Sequence, residues 1–419
     1  MKYVMVLLVP FYRVDDNVIA CESAFAAHLK ELLPRIAQWG SEIVIHSPQM
    51  SEQTYTKNKH HLSHIQCKEE HIYYLEAFPA EMSRLAFFLQ APFTLWPKMW
   101  RLVKSANVVH SSASKDLFKA FTITSLLFAA IQGKKSILVM DIDHRHSAKM
   151  LYETGRFSFK SYCLSRYLYT PFVSLQLRFA VKYCNLLMLK GRALVEDYGK
   201  GKQHVKNFYN TVHDLSFVLS ESDLKAKLAA VDQGKKVIRL VYFGRVVEYK
   251  GIQDMIEATG LLADHLLEKD IQVSLSIIGA GDVKEDLQAL VERKELGSRV
   301  NFIEPLSYGD ELFDELKTYD FLLAAPKSED TPRSVFDAMA CGLPIIAYDT
   351  YYYKDLESTG AVQTVPWLSV EALAKKIVSL YDDKQAVKDM INHGRDFAIN
   401  NTQEVWLNKR VEWTKEFLS

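Results

Sequence analysis

Four charged residues in the C-terminal half have types and spacings that could do chemistry together. Glu329 and Asp337 stand eight residues apart in SEDTPRSVFDAMACGLP (residues 328–344), and Arg245 and Lys250 stand five apart in VYFGRVVEYKG (241–251). A loop carboxylate can accept hydrogen bonds from sugar hydroxyls, and a second one inside a helix can accept two from a ribose. Arg offers a diphosphate a planar fork and Lys a point charge. Pro332 suits a first helical turn, Ser334 a cap, and Gly342 with Pro344 a stop, so the loop amides and the positive helix end would face an anion. Between the two stretches lies IIGAGD (277–282), a strand–Gly-x-Gly–helix turn. It lacks a third glycine in dinucleotide spacing and no GK[ST] follows, which excludes a Rossmann NAD fingerprint and a P-loop. Taken singly, these groups read as surface charges, helix-dipole partners and a tight turn.

The elements that must position them alternate. Strands are expected at 237–243, 273–278, 300–303, 321–325, 345–348 and 361–365, with helical stripes between them such as Ile252, Met255, Ile256, Thr259 and Leu262. That is a βαβ series and hence a parallel sheet covered on both faces. The N-terminal half repeats the pattern with strands at 3–9, 42–46, 107–110, 136–140 and 185–189 and a helix over 22–39. The expected fold class is α/β, with two doubly wound, Rossmann-like domains facing a cleft. The boundaries read as an N-terminal domain over 1–215, a charged linker over 216–236, a second domain over 237–400 and a C-terminal helix over 401–419 crossing back. Polar groups at the carboxyl ends of parallel strands are where such sheets bind ligands, which raises His110, Asp141, Asp143 and His144.

At 419 residues, 48% hydrophobic and 24% charged, the composition is that of a soluble, two-domain globular chain. Formal net charge is zero, which leaves no bulk argument for nucleic acid. Residues 149–206 nevertheless hold eleven Lys or Arg against three acids, and 81–104 is aromatic. Either stretch could face an anionic membrane, with tryptophans at headgroup level in the second; either reads equally as a solvated face or core packing. Five scattered cysteines without CxxC spacing imply neither disulfides nor zinc and fit a reducing compartment. Residues 51–70 are polar, with His60, His61 and His64, and His71 just beyond; a mobile surface loop is expected there, with metal binding as the alternative. Residues 1–10 read as a buried strand rather than a signal peptide, and no run approaches the ~20 apolar residues that span a bilayer.

The order GRVVEYKG, then IIGAGD, then SEDTPRSVFDAMACGLPIIA closely resembles the retaining glycosyltransferases of the GT-B fold, in the family 4 group, from Val237 to near Pro366. VKNFYNTV (205–212) resembles the segment that closes the family's N-terminal domain. The resemblance implies that Arg245 and Lys250 hold the donor diphosphate and stabilise its developing charge. It also implies that Glu329 holds the donor sugar and Asp337 the ribose. Gly244, Gly279, Gly281, Ile303, Thr331, Pro332, Arg333 and Ser334 would line the donor, with His110 near the sugar. Arg13, Asp141, Asp143 and His144 fall on the acceptor side. No metal and no cofactor are implied beyond the donor, and the implied partners are that nucleotide sugar, a glycan or lipid-linked acceptor and an anionic membrane. A cytoplasmic protein at the inner membrane face fits. The chain departs from the pattern at Asp337, where Glu is usual, at Asp330, where Gly is usual, and in the glycine-free loop PFYRVDDN (10–17). Asp330 is expected to point away or to pair with Arg333. A catalytically silent nucleotide-sugar-binding subunit and a nucleotide-sugar epimerase of the same shape are the alternative readings.

Overall fold

Short apolar runs, each followed by a helix, assemble into two parallel sheets. The computed structural model describes residues 2–418 apart from Gln38, His60, His61, His144 and Lys235, and only the backbone of Ala24. In chain order the strands are β1 (Lys2–Val6), β2 (Tyr12–Arg13), β3 (Val18–Glu22), β4 (Glu42–Gln49), β5 (Leu62–Gln66), β6 (Ile72–Pro79), β7 (Val108–Ser112) and β8 (Lys135–Met140). They continue as β9 (Leu186–Leu189), β10 (Val205–Asn207), β11 (Val237–Phe243), β12 (Gln272–Ile278), β13 (Val300–Ile303), β14 (Phe321–Ala324), β15 (Ile345–Tyr348) and β16 (Val362–Val365).

The chain divides into two compact units. The first comprises Met1–Asp141, Lys160–Phe208 and Leu407–Ser419; the second comprises Ile142–Phe159 and Tyr209–Trp406. The first holds a seven-stranded sheet in the order β10-β9-β8-β7-β1-β4-β6, and the second a six-stranded sheet in the order β13-β12-β11-β14-β15-β16. Every pairing within these two sheets is parallel. In the second sheet strand order runs outward from β11 to β13 on one side and from β14 to β16 on the other, so the switch point lies between β11 and β14. β14 (FLLA) and β15 (IIAY) are buried along their whole length, as expected of strands with helices on both faces. Their core includes Leu240, Met255, Leu262, Ile277 and Leu323.

Three expectations need correction. Residues 221–233, read as linker, are a helix whose N-cap Ser220 accepts a hydrogen bond from the Asp223 amide and whose Leu224 joins the core. The structure places 142–159 in the second unit, because His146 stacks on Tyr351 with 3.8 Å between ring centroids and Arg156 pairs with Glu248 at 3.5 Å. The expected loop over 51–70 contains a helix at Glu52–Asn58 and β5, which pairs antiparallel with β3 beside β2 in a third, three-stranded sheet. His64 there shares a 3.1 Å hydrogen bond with the Tyr55 hydroxyl; His60 and His61 lie outside the described residues. Of the two readings of 81–104, core packing describes Trp96, which lies edge-to-face with Phe87.

The C-terminal helix spans Gln403–Leu418. From Leu407 onward it belongs to the first unit, where Arg410 lies 4.7 Å over the Phe208 ring and Lys206 lies 4.9 Å over Phe417. No helix among the described residues is long and apolar enough to cross a membrane.

Candidate active site

Two loops of the second unit leave the carboxyl ends of the strands that flank its switch point. The first follows β11. Gly244 turns the chain at a φ of +136°, and a short 3-10 turn at Glu248–Lys250 ends on Gly251 at +66°. A Cβ on Gly251 would stand 1.8 Å from the Ala325 carbonyl oxygen at the end of β14, so the close approach of these strand ends requires glycine. The turn after β12 is locked to the same loop. Gly244 N donates to Ile278 O at 3.0 Å and Val246 N to Ala280 O at 2.8 Å. Cβ atoms on Gly279 and Gly281 would each stand 1.9 Å from carbonyl oxygens of Gly244 and Val246. The Gly-x-Gly turn thus holds the cationic loop in place. Gly279 N also donates to Ile303 O at 3.0 Å, which ties in the end of β13.

Arg245 is exposed and donates through Nη2 to the Tyr249 hydroxyl at 2.6 Å. Lys250 is largely enclosed, and its ammonium pairs with the Asp330 carboxylate. Asp330 Oδ1 accepts from the Thr331 amide at 3.0 Å. The expected choices for Asp330, pointing away or pairing with Arg333, give way to this contact with Lys250.

The second loop, between β14 and the Ser334–Ala340 helix, is pinned where it leaves the strand. Lys327 N donates to Tyr249 O at 2.8 Å, and the Trp367 indole donates to Pro326 O at 3.0 Å. Lys327 Nζ also lies 2.8 Å from Asp254. Ser334 is the first helical residue rather than the cap; Arg333 holds the N-cap position without a side-chain capping bond, and Pro332 precedes it. Gly342 ends the helix in the left-handed region at +61°.

Both motif acids are buried. Glu329 Oε1 accepts from the Tyr351 amide at 3.1 Å, at the start of the Tyr351–Leu356 helix. Burial pushes its carboxyl up to about 7; the charges of Asp143 and Asp330 add to this, and the Tyr351 and Tyr352 amides oppose it. Asp337 accepts a hydrogen bond from the Tyr308 hydroxyl at 3.1 Å. Burial pushes it also to about 7, against the opposing effects of Tyr308 and Arg333. His213 Nδ1 stands 3.9 Å from Asp337 Oδ1. Its Nε2 lies 3.0 Å from the Ala398 carbonyl, which can only accept, so Nε2 carries the proton and Nδ1 a lone pair. Burial holds this imidazole below its usual range, and therefore neutral.

The second unit thus brings together Gly244, Arg245, Lys250, Gly279, Gly281, Ile303, Thr331–Ser334, Glu329 and Asp337, and also Asp143. Asp143 is gripped by Arg145 through a fork of 2.9 and 2.6 Å, so the acceptor-side role expected for it on the first domain does not fit its place. Asp141 stays with the first unit, where its charge partly offsets the desolvation of the half-buried Arg410. His110 is not at a strand end, because β7 runs on to pair Ser112 with Val139. It shares a 3.0 Å hydrogen bond with the Tyr3 hydroxyl, and burial with the nearby Arg410 and His28 charges holds it down to about 3. Arg13 Nη2 donates to Tyr74 O at 2.8 Å and its guanidinium covers the Tyr74 ring. His144 lies outside the described residues. Among the described residues no group of three His, Cys, Asp or Glu could hold a metal ion.

Sequence reasoning missed Tyr249, Tyr308 and His213. Tyr249 stands inside the GRVVEYKG motif, and His213 immediately follows the quoted VKNFYNTV segment; Tyr308 carried no signal.

Residues 223–397 match the family described as glycosyl transferases group 1. A D-inositol 3-phosphate glycosyltransferase of Paenarthrobacter aurescens is 26% identical over 180 residues, covering 41% of this chain and 43% of that protein. An uncharacterized glycosyltransferase of Haemophilus influenzae is 30% identical over 125 residues, covering 30% of this chain and 32% of that protein. The chain therefore spans less than half the length of these curated relatives. Among solved structures, Anabaena HepE in complex with UDP superposes with a TM-score of 0.62 at 15% identity, covering 99% of this chain and all of that one. WaaG, a glycosyltransferase involved in lipopolysaccharide biosynthesis, superposes with a TM-score of 0.61 at 12% identity, covering 98% and 99%. The match to the glycosyl transferases group 1 family is thus confined to residues 223–397, and the two parallel-sheet units have the fold class of GT-B glycosyltransferases.

Proposed function

We propose that the protein is a retaining glycosyltransferase that moves a sugar from a nucleotide diphosphate sugar to a glycan or lipid-linked acceptor in cell-surface polysaccharide or glycoconjugate biosynthesis. The observation that carries this is the convergence, at the switch point between β11 and β14, of a cationic loop bearing Arg245 and Lys250 with a loop bearing Glu329 and the helix after it bearing Asp337. In this reading the bond from the anomeric carbon to the β-phosphate oxygen breaks with its electron pair leaving on the diphosphate, an acceptor hydroxyl oxygen bonds to that carbon on the same face, and the hydroxyl proton passes to the departing diphosphate. Arg245 and Lys250 stabilise that charge, so no divalent metal is required. Glu329 holds sugar hydroxyls, and Asp337 with Tyr308 lies where the nucleoside end would rest. HepE has been solved with UDP and with UDP-glucose, which favours uridine donors as the first to try.

A lipid-linked acceptor at the inner membrane face is supported by a bare apolar face in the first unit. Leu85, Phe88, Leu89 and Phe93 are 70%, 65%, 59% and 82% exposed, with Arg84 beside them. The test of the main reading is donor hydrolysis and transfer measured over a panel of nucleotide sugars without added metal, with the anomeric configuration of the product read by NMR. Arg245→Ala and Lys250→Ala should each lower turnover by about 10²–10³-fold while circular dichroism is unchanged. Near-normal transfer in both variants, or inversion in the product, overturns the reading.

A further inference from the structure

Lys250 is already paired, and its partner belongs to the same site. Asp330 Oδ2 takes the Lys250 ammonium, and Oδ1 takes the Thr331 amide. These are a cation and a loop N–H that the reading above assigns to the donor. The carboxylate is enclosed rather than dangling in solvent: both side chains of the pair are only 14–15% exposed. Its charge opposes ionisation of the surrounding phenols of Tyr242, Tyr249, Tyr352 and Tyr353. The pair leaves the loop with one uncommitted formal charge, that of Arg245, whose guanidinium is held by a neutral phenol. A diphosphate entering this space meets a resident anion on one of its two cations.

We propose that Asp330 is a built-in competitor for the donor diphosphate. It occupies Lys250 and the Thr331 amide in the free enzyme, must leave them for the donor to bind, and returns to them as the nucleoside diphosphate departs. The inference rests on the assignment of this loop pair as the diphosphate site. Asp330 is in this sense an affinity-setting residue. It weakens donor and product binding alike, and it shortens the life of the product complex by offering Lys250 a replacement anion. No bond is made or broken in the exchange; the carboxylate and a phosphoryl oxygen trade places on one ammonium.

The experiment uses inorganic pyrophosphate as probe, titrated calorimetrically into the full chain. Asp330→Asn keeps an acceptor for the Thr331 amide and removes the charge. Asp330→Gly is a second variant that removes the side chain altogether, in case the first folds poorly. Both should bind pyrophosphate about tenfold more tightly than the parent, equivalent to about 1.4 kcal/mol. Adding Lys250→Ala to either should erase the gain, and transfer assays should show a lower donor KM with slower product release. A merely structural Asp330 would instead lose affinity on substitution. Unchanged or weaker pyrophosphate binding in both variants, against measurable binding by the parent, overturns the competitor role and leaves the site assignment standing. A gain that survives Lys250→Ala overturns it as well, because the effect would then be general charge rather than competition for that ammonium. Absence of pyrophosphate binding by parent and variants together overturns the site assignment and the proposal with it.

Discussion

The buried carboxyl of Asp337 makes a specific demand on stability. Its titration is raised from 3.8 to about 7 in the folded chain, chiefly by burial. Below about pH 4 both folded and unfolded chains carry the proton. Between about 4 and 7 the unfolded chain releases it while the folded chain keeps it, so stability falls as pH rises through this window, and above it the loss is complete. One pH unit between the two states is worth about 1.4 kcal/mol, so the interval is worth about 4 kcal/mol at most. Asp337→Asn removes the titration but keeps an oxygen for the Tyr308 hydroxyl. The Asp337→Asn variant should therefore be more stable than the parent by about 2–4 kcal/mol at pH 8, with the gap closing towards pH 4. Each kcal/mol should move the midpoint by about 2–4 °C for a unit of this size. Thermal unfolding of both chains across pH 4.5–8.5, followed by circular dichroism, reads it directly. A gap independent of pH, or a variant less stable at pH 8, would refute the reasoning that burial dominates this carboxyl. The same variant should bind nucleoside diphosphate more weakly, since a ribose would lose an anionic acceptor.

Three further outcomes follow from the geometry. Gly251→Ala should destabilise the second unit by about 2–4 kcal/mol in urea unfolding, because it adds left-handed strain to a Cβ that overlaps the Ala325 carbonyl; a loss under 1 kcal/mol would mean the strand ends can part. Tyr308→Phe should cost about 1 kcal/mol and push the Asp337 titration higher still, visible as a later fall of stability with pH. Replacing both Phe88 and Phe93 with Asp should leave solution transfer to a soluble acceptor intact and abolish cosedimentation with anionic vesicles; cosedimentation at the parental level would remove this face from the argument.

The second sheet was legible because its central strands β14 and β15 are buried on both faces and read as continuous apolar runs. Mostly apolar runs marked β11 and β13 to the residue as well, although each carries one exposed polar residue, Arg239 and Asn301, and the helix Ile252–Leu266 showed its stripe. Where an element buries little, the signal fails. The helix Glu221–Gln233 has one fully buried residue, Leu224, and its charge pattern reads as linker. The two-residue β2 and the half-exposed β5 carry no periodicity to detect. Long-range electrostatics are also silent in a linear chain. Lys250 and Asp330 are 80 residues apart, and Arg333, the obvious near neighbour of Asp330, is not its partner. The unit that owns 142–159 is set by the stacking of His146 on Tyr351, about 200 positions downstream, which no local pattern encodes. The four motif charges all lie in the second unit, whereas His110 is not at a strand end, because β7 runs on two residues beyond it.

The interlock of the turns after β11 and β12 has an evolutionary corollary. Gly279 and Gly281 lie flush against the carbonyls of Gly244 and Val246, so neither turn can gain or lose a residue without evicting the other. Length variation is closed to this part of the rim, and any change in what the protein accepts must be written in side chains, or in the stretch after β14, which these contacts leave free. The backbone that carries Arg245 is thus fixed in length by its neighbour, and only its side chains are free to change.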